Sequence, residues 1–476
     1  MNKIVWVMGG FDPTGGAGVL ADLEALSIFK VKAYSVITVN TAQNGLEKGS
    51  VEKISLEMIS SQLQAIRTLG IPDIVKIGVL PDLETASLLF DFLEPFKPVI
   101  LWDPVLTSST GCDFLSVPDA KQILAKYAKR ITIFTPNIPE AGFLLNCKIQ
   151  NNDDMVMAGN AFCQMGIQKV IIKGGHANGE NAEDVIVEND AHQWLSVKKV
   201  DAKLIHGTGC TFASALAGAI AKGFDVTDAA ILAKMVVRQK TRTIPPIWPS
   251  YAEDLPTLSH TSFFEKHFLP CESPIGFYPI VDSLQWVEKL VAWGVKTIQL
   301  RIKTGEAKTV FEKIKRAIIL CKQAGVQLFI NDYWEWAIEC GAYGVHLGQE
   351  DLDSCDLHAV YSAGLRLGVS THSYTELARA NAVNPSYFAL GPIYPTTSKV
   401  MPFAPQGLEN LKHWRTLVDR PLVAIGGISL LNINEILKCK VDGFSVISAV
   451  TQANDPQLVC QQFLYHYRES SSYEPL

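Results

Sequence analysis

The sequence predicts two α/β domains in series, an open three-layer α/β/α domain followed by a closed (β/α)8 TIM barrel. The chain has 476 residues, too many for one ordinary core, so two domains of about 200–260 residues are expected. Strand-like apolar segments alternate with helix-like segments throughout, which is typical of largely parallel sheets. A proline-rich stretch divides these segments into two series, and the second series contains eight strand–helix units.

The first domain is predicted to span residues 1–245. Its strand-like segments are Ile4–Met8, Ser35–Asn40, Asp73–Ile77, Val99–Asp103, Thr132–Thr135, Lys169–Lys173, Asp184–Val187 and Gln193–Val197. A pair of helices is predicted to follow, from about Gly209 to Thr243. Helix-like stretches also lie between most of the strands, so the expected fold is an open sheet with helices packed against it.

A linker is predicted over residues 246–274, where the alternation of strands and helices stops. Prolines recur through this stretch, from Pro245-Pro246 at its start to Pro274 at its end. Proline has no backbone N–H to donate, so it interrupts both helices and strand ladders.

The second domain is predicted to span residues 275–476. Its strand-like segments are Phe277–Val281, Thr297–Ile302, Gln327–Asn331, Gly344–Leu347, Arg366–Thr371, Tyr387–Leu390, Leu422–Ile425 and Phe444–Ser448. A helix-like segment follows each of them, and eight such units in about 200 residues predict a closed barrel. Polar residues cluster just past the C-terminal ends of the strands, where the active sites of such barrels form.

Composition and charge exclude several classes of protein. Hydrophobic residues make up 48% and charged residues 19% of the chain, as in a soluble globular protein. The net charge of −6 gives no overall basic footprint, which argues against a nucleic-acid partner. Ten scattered cysteines without a CxxC pair fit free thiols in a reducing compartment better than disulfides or zinc ligands. We find no signal segment and no run of about 18 apolar residues, so a cytoplasmic protein without a membrane partner is expected.

The first domain carries a candidate anion site at Gly207-Thr208-Gly209-Cys210, just where a helix is predicted to begin. Glycines let backbone N–H groups turn toward an anion, and the N-terminal end of a helix adds a positive dipole. A cysteine at such a helix start is expected to have a lowered pKa and to act as a base or polarise a hydroxyl. The residues leave a second interpretation open, in which Cys210 is a small buried thiol in a Gly-rich turn.

Six motifs occur in order along the first domain. They are Asp12-Pro-Thr-Gly-Gly-Ala-Gly, Thr41-Ala-Gln43-Asn, Asp103-Pro-Val, Thr135-Pro-Asn137-x-Pro-Glu140-Ala, Lys173-Gly-Gly-His176 and His206-Gly-Thr-Gly-Cys210-Thr. As a set they make residues 1–245 closely resemble the hydroxymethylpyrimidine/phosphomethylpyrimidine kinase family, of ribokinase-like fold. The resemblance implies ATP as phosphoryl donor and Mg²⁺ as cofactor. The implied reaction is phosphorylation of the pyrimidine alcohol and then of its monophosphate.

The resemblance also implies roles for individual residues. Gln43 would contact the pyrimidine, with Asp22 as a second polar contact, and Cys210 stands where sugar kinases of this fold carry a catalytic aspartate. Asn137 and Glu140 match the motif that orders metal and phosphate, and Asn137 can also be a helix N-cap. The remaining members of the expected ATP and phosphate region are Gly207, Thr208 and Gly209.

Two positions depart from the usual pattern of that family. Val79 and Leu106 stand where methionine is usual. Both keep an apolar wall but change its volume, so the tightness of the kinase pocket is expected to differ while the reaction class does not.

Gln299, Arg301 and Lys303 alternate along the second predicted barrel strand, so their side chains point to one face. If that face is the barrel interior, where branched apolar residues are usual, two cations and an amide indicate an anionic substrate. The pattern leaves the opposite orientation open, with the alternate apolar residues inside and the polar residues in solvent.

Further polar residues follow the other predicted barrel strands. Asp332 and Asp351 follow the third and fourth strands, and two neighbouring carboxylates at the rim suit Mg²⁺, a hard cation. Hydroxyls and another cation follow the sixth strand at Thr396, Thr397, Ser398 and Lys399. The usual phosphate cradle of a barrel, after strands seven and eight, corresponds here to Gly427, Ile447 and Ser448. His346 and His372 are expected to pack near the rim rather than to bind a metal.

A second ordered set of motifs runs through residues 275–470. The motifs are Gln299-Leu-Arg-Ile-Lys303, Ile330-Asn-Asp332, Val345-His-Leu-Gly-Gln-Glu-Asp351, Gly368-Val-Ser370, Thr396-Thr-Ser-Lys399 and Ala424-Ile-Gly-Gly-Ile428. This set resembles thiamine-phosphate synthase. The resemblance implies that pyrimidine pyrophosphate is coupled to thiazole phosphate by a dissociative displacement that releases pyrophosphate. In such a reaction the protein supplies mainly positioning and electrostatic stabilisation.

The second resemblance implies three groups of site residues. The pyrimidine pyrophosphate would be bound by Gln299, Arg301, Lys303, Asn331, Ser370 and Lys399. The thiazole phosphate would be bound by Thr396, Thr397, Ser398, Gly427, Ile447 and Ser448. The metal ligands would be Asp332 and Asp351.

The two resemblances together predict a bifunctional enzyme of thiamine biosynthesis. Its substrates would be hydroxymethylpyrimidine and its phosphates, thiazole phosphate and ATP, and a homodimer formed through the kinase domain is left open. One alternative is a vitamin B6-type kinase fused to a thiazole tautomerase, which shares the barrel. Another is a protein whose barrel senses thiamine precursors without turnover. The charged residues retained in both halves favour the bifunctional enzyme.

Overall fold

The computed structural model describes residues 3–43, 49–107, 111, 113–175, 179–200, 206–242, 244, 247–259, 264, 266–396 and 404–471. The chain divides into two compact units. The first is Met1–Pro249 with Glu253–Ser262, and the second is Ser250–Ala252 with Phe263–Leu476. Among the described residues, we find no helix that combines the length and the apolar character needed to cross a bilayer.

The first unit is built on a mixed sheet. Its strands are β1 (Ile4–Phe11), β2 (Lys32–Ala42), β3 (Ser50–Lys53), β4 (Ile74–Ile77), β5 (Val99–Trp102), β6 (Ile133–Phe134), β7 (Lys169–Ile172), β8 (Asn181–Glu188), β9 (Ala191–Lys198) and β10 (Thr257–Ser259). Its helices are α1 (Gly18–Ile28), α2 (Leu56–Arg67), α3 (Leu83–Leu93), α4 (Val117–Tyr127), α5 (Ile138–Leu145), α6 (Asn152–Gln164), α7 (Thr208–Ala221) and α8 (Val226–Thr241). Short 3₁₀ turns lie at Glu94–Phe96, Ala128–Arg130 and Ala252–Asp254.

The strand order and strand directions of this sheet match the predicted open fold. Over the described residues the order is β10-β9-β8-β7-β6-β5-β4-β1-β2-β3. The central strands are parallel and the edge pairs are antiparallel. Strand β1 is buried along nearly its whole length, as expected for a parallel strand covered by helices on both faces. The predicted open α/β/α architecture is confirmed.

Two edge strands were not predicted from the sequence. Strand β3 is short and exposed and pairs with β2, and β10 pairs with β9 through Leu258 opposite Leu195. Strand β10 lies inside the stretch predicted as a linker. It begins directly after Pro256, and proline is tolerated at the start of an edge strand because no ladder partner needs its N–H.

In the second unit, the described residues form a closed parallel barrel of eight strands, in chain order. The strands are β11 (Gly276–Val281), β12 (Thr297–Leu300), β13 (Gln327–Asn331), β14 (Gly344–Leu347), β15 (Arg366–Thr371), β16 (Tyr387–Leu390), β17 (Leu422–Ile425) and β18 (Gly443–Val446). The helices are α9 (Leu284–Ala292), α10 (Ala307–Gln323), α11 (Trp334–Glu339), α12 (Gln349–Ser354), α13 (Leu357–Ser362), α14 (Tyr374–Ala382), α15 (Gly407–Leu417), α16 (Ile433–Leu437), α17 (Ser448–Thr451) and α18 (Pro456–Ser471).

The barrel closes because β11 pairs with both β12 and β18. Its interior is a packed core rather than a pore, and Tyr278, Phe329, Tyr387 and Val423 belong to one buried cluster. The predicted barrel is confirmed, with most strand bounds unchanged. Because all eight strands are parallel, the polar residues at their C-terminal ends lie at one rim.

Candidate active sites

A cavity of about 760 Å³ lies in the first unit. It is lined by the segments that follow β1, β4, β5 and β7 and by the start of α7. The C-terminal edge of a parallel sheet is where open α/β folds bind ligands. Predicted residues among its lining are Gln43, Asn137, Glu140, Gly207, Thr208, Gly209 and Cys210. The structure therefore brings most of the predicted kinase residues around one cavity, with Val79 and Leu106 in its apolar wall.

Gly207 sets the geometry of the anion site. Its φ of +79° lies in the left-handed region, and a Cβ there would lie 1.9 Å from the Gly16 carbonyl oxygen, so only glycine fits. Helix α7 begins at Thr208, and no described side chain caps it. Its first N–H groups thus remain available for an anion, and the helix dipole favours negative charge there.

The environment of Cys210 differs from the sequence-based expectation. Burial raises the pKa of the Cys210 thiol, although the nearby Lys76 charge and the Gly18 N–H act in the opposite direction. The predicted lowering of this pKa is therefore wrong. The physical reason is that the cost of burying a thiolate exceeds the stabilisation by the helix start and the neighbouring ammonium group.

Asp22, the predicted second pyrimidine contact, is not among the described residues that line the cavity. Its side chain is fully buried, with the Lys76 Nζ atom 2.8 Å from Oδ1 and 2.9 Å from Oδ2. The Ser214 hydroxyl donates to Oδ1 at 2.7 Å. Ser214 lies one helical turn after Cys210 in α7, so the buried pair supports the helix that carries the thiol. A direct substrate contact by Asp22 stays a prediction.

Lys76 and Asp22 form a fully buried ion pair. Burial alone would lower the pKa of Lys76, but the neighbouring Asp22 and Cys210 raise it above its usual value. We expect Lys76→Met to destabilise the protein by about 3–5 kcal/mol, because the buried Asp22 carboxylate would lose its cationic partner and keep only the hydrogen bond from Ser214. Urea denaturation checks this. Lys53→Met, which removes a half-exposed surface pair, is the control and is expected to cost less than about 1 kcal/mol.

The double variant Lys76→Met/Asp22→Asn tests the cause of that loss. It removes both charges, so much of the stability lost in the single variant is expected to return. Equal destabilisation in the single and double variants would show that the packing of Lys76, rather than its charge, stabilises the fold.

A second charged cluster in this cavity was not assigned as a site from the sequence, although its residues lie in the quoted motifs. The Lys173 Nζ atom lies 2.6 Å from Asp103 Oδ1, and the Thr135 hydroxyl donates to the same oxygen at 3.2 Å. The other carboxylate oxygen, Asp103 Oδ2, is buried and has no hydrogen-bond partner among the described residues. An unpaired buried carboxylate oxygen facing a phosphate site is a suitable ligand for a hard divalent cation.

Asn137 and Glu140 form the start of α5 beside this cluster. Asn137 Oδ1 accepts from the Glu140 N–H at 2.8 Å, and Glu140 Oε2 accepts from the Asn137 N–H at 2.7 Å. This is a complete capping box, so the N-cap role considered for Asn137 is confirmed. Burial raises the pKa of Glu140 to about 7, and Asp103 adds to this while Lys173 opposes it.

The second candidate site lies at the C-terminal rim of the barrel. Lys303 forms an ion pair with Asp332, which has a φ of +65° although it is not glycine. Such backbone strain is typical of functional positions. Burial and the neighbouring Asp332 carboxylate raise the pKa of Asp351. The structure therefore brings the two predicted metal ligands together. In the described residues no larger cluster of acidic, histidine or cysteine side chains is arranged around a metal position.

The orientation of β12 follows from burial and hydrogen bonds. The Gln299 side chain is buried inside the barrel, and its Nε2 atom donates to the Tyr278 hydroxyl at 3.0 Å. Arg301 and Lys303 come after the strand, partly exposed and exposed respectively. The alternative orientation, with Gln299 in solvent, is wrong. The apolar residues between these positions are also buried, because both faces of a barrel strand are covered.

Ser370 and Asn331 lie at the ends of β15 and β13, at the same end of the barrel as Gln299. The Ser370 hydroxyl lies 2.8 Å from His346 Nε2, and its carbonyl oxygen accepts from Gln349 Nε2 at 2.7 Å. His346 is buried and packs beside Ser370, near the C-terminal end of β15 and thus near the rim where it was expected.

The predicted thiazole phosphate residues are described only in part. Thr397, Ser398 and Lys399 lie outside the described residues. Gly427 has a φ of +68°, and a Cβ there would lie 2.7 Å from the Pro395 carbonyl oxygen. The loops after β16 and β17 thus touch at a position that requires glycine. Thr396, Ile447 and Ser448 lie after β16 and β18 at the same rim.

The comparisons with known proteins divide the chain in the same way. A family model described as phosphomethylpyrimidine kinase matches residues 12–247, and one described as thiamine monophosphate synthase matches residues 277–450. Thiamine-phosphate synthase of Serratia proteamaculans is 56% identical over 191 residues, which is 40% of this chain and 90% of that protein. The protein of that name from Neisseria meningitidis is 49% identical over 197 residues, 41% of this chain and 96% of its own length.

Solved structures resemble the first half. Phosphomethylpyrimidine kinase from Clostridium difficile 630 is 34% identical, with 50% of this chain and 99% of that chain covered and a TM-score of 0.43. Pyridoxal kinase from Staphylococcus aureus in complex with AMP-PCP is 27% identical, with 50% and 87% covered and a TM-score of 0.46.

Proposed function

We propose that this chain, which belongs to the phosphomethylpyrimidine kinase family in its first half and to the thiamine-phosphate synthase family in its second, makes thiamine phosphate in consecutive steps. The first unit phosphorylates hydroxymethylpyrimidine and then its monophosphate with ATP. The second unit couples the resulting pyrophosphate to thiazole phosphate and releases inorganic pyrophosphate. The observation that carries this proposal is that one chain holds two separate groups of residues suited to anions. They are the uncapped start of α7 with Lys173 in the first unit, and Arg301 with Lys303 at the barrel rim in the second.

In the first unit, the start of α7 and Lys173 supply positive potential for the phosphates of ATP. Cys210 lies at that helix start and is the group proposed to take the proton of the substrate hydroxyl as phosphoryl transfer proceeds. Gln43 is proposed to orient the pyrimidine from the cavity wall. Asp103 and Glu140 are the residues that would hold Mg²⁺, which when bound neutralises charge on the phosphate oxygens.

In the second unit, Arg301, Lys303 and Lys399 are proposed to stabilise the departing pyrophosphate as negative charge develops on it. Asp332 and Asp351 would hold Mg²⁺, which when bound neutralises charge on pyrophosphate oxygens. Residues of the proposed pyrimidine contact are Gln299, Asn331 and Ser370, and those of the proposed thiazole phosphate contact are Thr396, Thr397, Ser398, Gly427, Ile447 and Ser448. The barrel thus holds both reactants close together, so that the thiazole nitrogen captures the pyrimidine cation as it forms.

We also propose that the two units fold and work independently. A fragment cut near Trp248, at the start of the predicted linker, would lose β10 and the pair between Asp254 and Arg242, at 2.9 Å, because both come after that point. A fragment of residues 1–259 is therefore expected to be soluble, to retain the kinase activity and to unfold at a higher urea concentration than one of residues 1–248.

The second fragment is expected to retain the synthase activity. A fragment starting near Cys271, within the predicted linker, would lose Phe268, which is buried and whose N–H donates to the Asn384 carbonyl at 3.1 Å. A fragment of residues 264–476 is therefore expected to be the more stable of the two. The independent-unit proposal fails if neither half is soluble under conditions in which the whole chain is.

A cytoplasmic location and a homodimer through the first unit stay predictions. The unpaired thiols of the described cysteines support the first. Sedimentation of the fragment of residues 1–259 tests the second.

A further inference from the structure

A continuous chain of hydrogen bonds crosses the interior of the barrel. Gln299 Nε2 donates to the Tyr278 hydroxyl at 3.0 Å, and the two hydroxyls of Tyr278 and Tyr387 lie 2.9 Å apart. The Tyr387 hydroxyl lies 2.7 Å from His346 Nδ1, and His346 Nε2 lies 2.8 Å from the Ser370 hydroxyl. All the side chains between the two ends are buried, so water does not interrupt the chain.

The direction of every bond in this chain follows from its first member. An amide nitrogen can only donate, so the Tyr278 hydroxyl accepts from Gln299. Among the described residues, Tyr387 is the other hydrogen-bond partner of that hydroxyl, so the single hydrogen of Tyr278 is paired only if it is donated to Tyr387. Tyr387 must then donate its own hydrogen to His346 Nδ1. Because Nδ1 accepts, the imidazole is neutral and carries its hydrogen on Nε2, which donates to Ser370.

The two ends of this hydrogen-bond chain therefore offer opposite groups to a ligand, an acceptor at one end and a donor at the other. The Oε1 atom of Gln299 takes no part in the chain and remains an acceptor. The hydroxyl of Ser370 already accepts from His346, so its hydrogen remains to be donated. Both residues are members of the proposed pyrimidine pyrophosphate site.

We propose that Tyr278, Tyr387 and His346 are positioning residues that fix the hydrogen-bond polarity of the barrel site, so that Gln299 offers an acceptor and Ser370 offers a donor. The ligand selected is one that carries an amino donor at one end and an acceptor, such as a phosphate oxygen, at the other. A ligand with an acceptor in place of the amino group would meet the Gln299 oxygen and leave two acceptors facing each other. This inference rests on the proposed function, because it takes Gln299 and Ser370 as substrate contacts.

The first test needs no substrate. The whole chain is labelled with ¹⁵N-histidine, and the resonances of His346 are assigned by comparison with His346→Gln. Hydrogen on Nε2 is expected. Hydrogen on Nδ1 would mean that the oxygen and nitrogen of the Gln299 amide are exchanged and that every hydrogen bond in the series points the other way. That result would overturn the proposal. This result is independent of whether the barrel makes thiamine phosphate.

The second test separates positioning from stability. Tyr387→Phe breaks the chain at its centre and is expected to raise the KM for pyrimidine pyrophosphate roughly tenfold or more. The KM for thiazole phosphate should change little. Tyr278→Phe also removes two hydrogen bonds, those to Gln299 and to Tyr387, and is expected to have an effect of the same kind. An unchanged KM for thiazole phosphate in each variant reports that the barrel itself is folded, which the kinase activity of the other unit would not.

Tyr343→Phe is the matched control. The Tyr343 hydroxyl bonds to Gln327 and accepts from the Glu272 N–H, at the opposite end of the barrel strands. Its removal is expected to leave the KM for pyrimidine pyrophosphate unchanged. An unchanged KM in Tyr387→Phe, or an equal rise in Tyr343→Phe, would overturn the positioning role. If the wild-type chain forms no thiamine phosphate at all, the proposed function fails, and the labelling result still stands on its own.

Discussion

Cys210→Ala is expected to abolish pyrimidine phosphorylation while leaving the coupling of ready-made pyrimidine pyrophosphate unchanged. The thiol lies at the start of α7, beside backbone N–H groups that are available to phosphate, and it lines the cavity. Loss of a positioned acid–base group costs about 10²–10⁴-fold in rate. Since burial raises the pKa of Cys210, kinase activity that depends on the thiolate should also increase as the pH rises toward that pKa.

Rates of ATP-dependent pyrimidine phosphorylation, measured across pH in the wild-type chain and the variant, check this prediction. Cys163→Ala is the control, because Cys163 is a half-buried thiol of the same unit that lies in α6, outside the cavity lining. Near-normal phosphorylation by Cys210→Ala would return Cys210 to the alternative interpretation, a small buried thiol in a Gly-rich turn.

Asp332→Ala or Asp351→Ala is expected to destroy the coupling reaction and leave kinase activity intact. The two carboxylates face each other closely enough that Asp332 helps to raise the pKa of Asp351, and a divalent cation would remove that repulsion. Each variant should also need more Mg²⁺ to bind pyrimidine pyrophosphate. Isothermal titration with and without Mg²⁺ measures this directly.

Asp353→Ala provides a matched control for these variants. Asp353 lies in α12 with Asp351, but its carboxylate is exposed and pairs with Arg379. Its removal should change neither the coupling rate nor the Mg²⁺ requirement. If the wild type and both rim variants bind pyrimidine pyrophosphate equally tightly without Mg²⁺, the metal site is removed from the proposal.

The fold could be predicted where burial is uniform. The strands of the barrel are apolar and covered on both faces, so their sequence pattern marks them almost residue by residue. Strands β3 and β10 escaped prediction because Ser50–Lys53 and Thr257–Ser259 are short and partly polar. What makes each of them a strand is its ladder partner, which a local pattern does not reveal.

The sequence predicted which residues form the sites, but not the burial, the ion-pair partners or the backbone conformation of those residues. The motifs identified Asn137, Glu140 and Cys210, and all three line one cavity. The raised pKa of Cys210, however, depends on burial by distant segments. The partner of Asp22 is Lys76, 54 residues away, and nothing in the local sequence indicates that pair. Likewise, the strained backbone of Asp332 follows from its position at the barrel rim.

The most direct test is a single assay on the purified whole chain with hydroxymethylpyrimidine, ATP, Mg²⁺ and thiazole phosphate. Thiamine phosphate is expected to form, to require ATP, and to form without ATP when pyrimidine pyrophosphate is supplied instead. Pyridoxal, offered in place of hydroxymethylpyrimidine, tests the vitamin B6-type alternative and is expected to be the poorer substrate. Preferred phosphorylation of pyridoxal, or no thiamine phosphate from either starting mixture, would contradict the assignment of consecutive thiamine-forming steps to this chain.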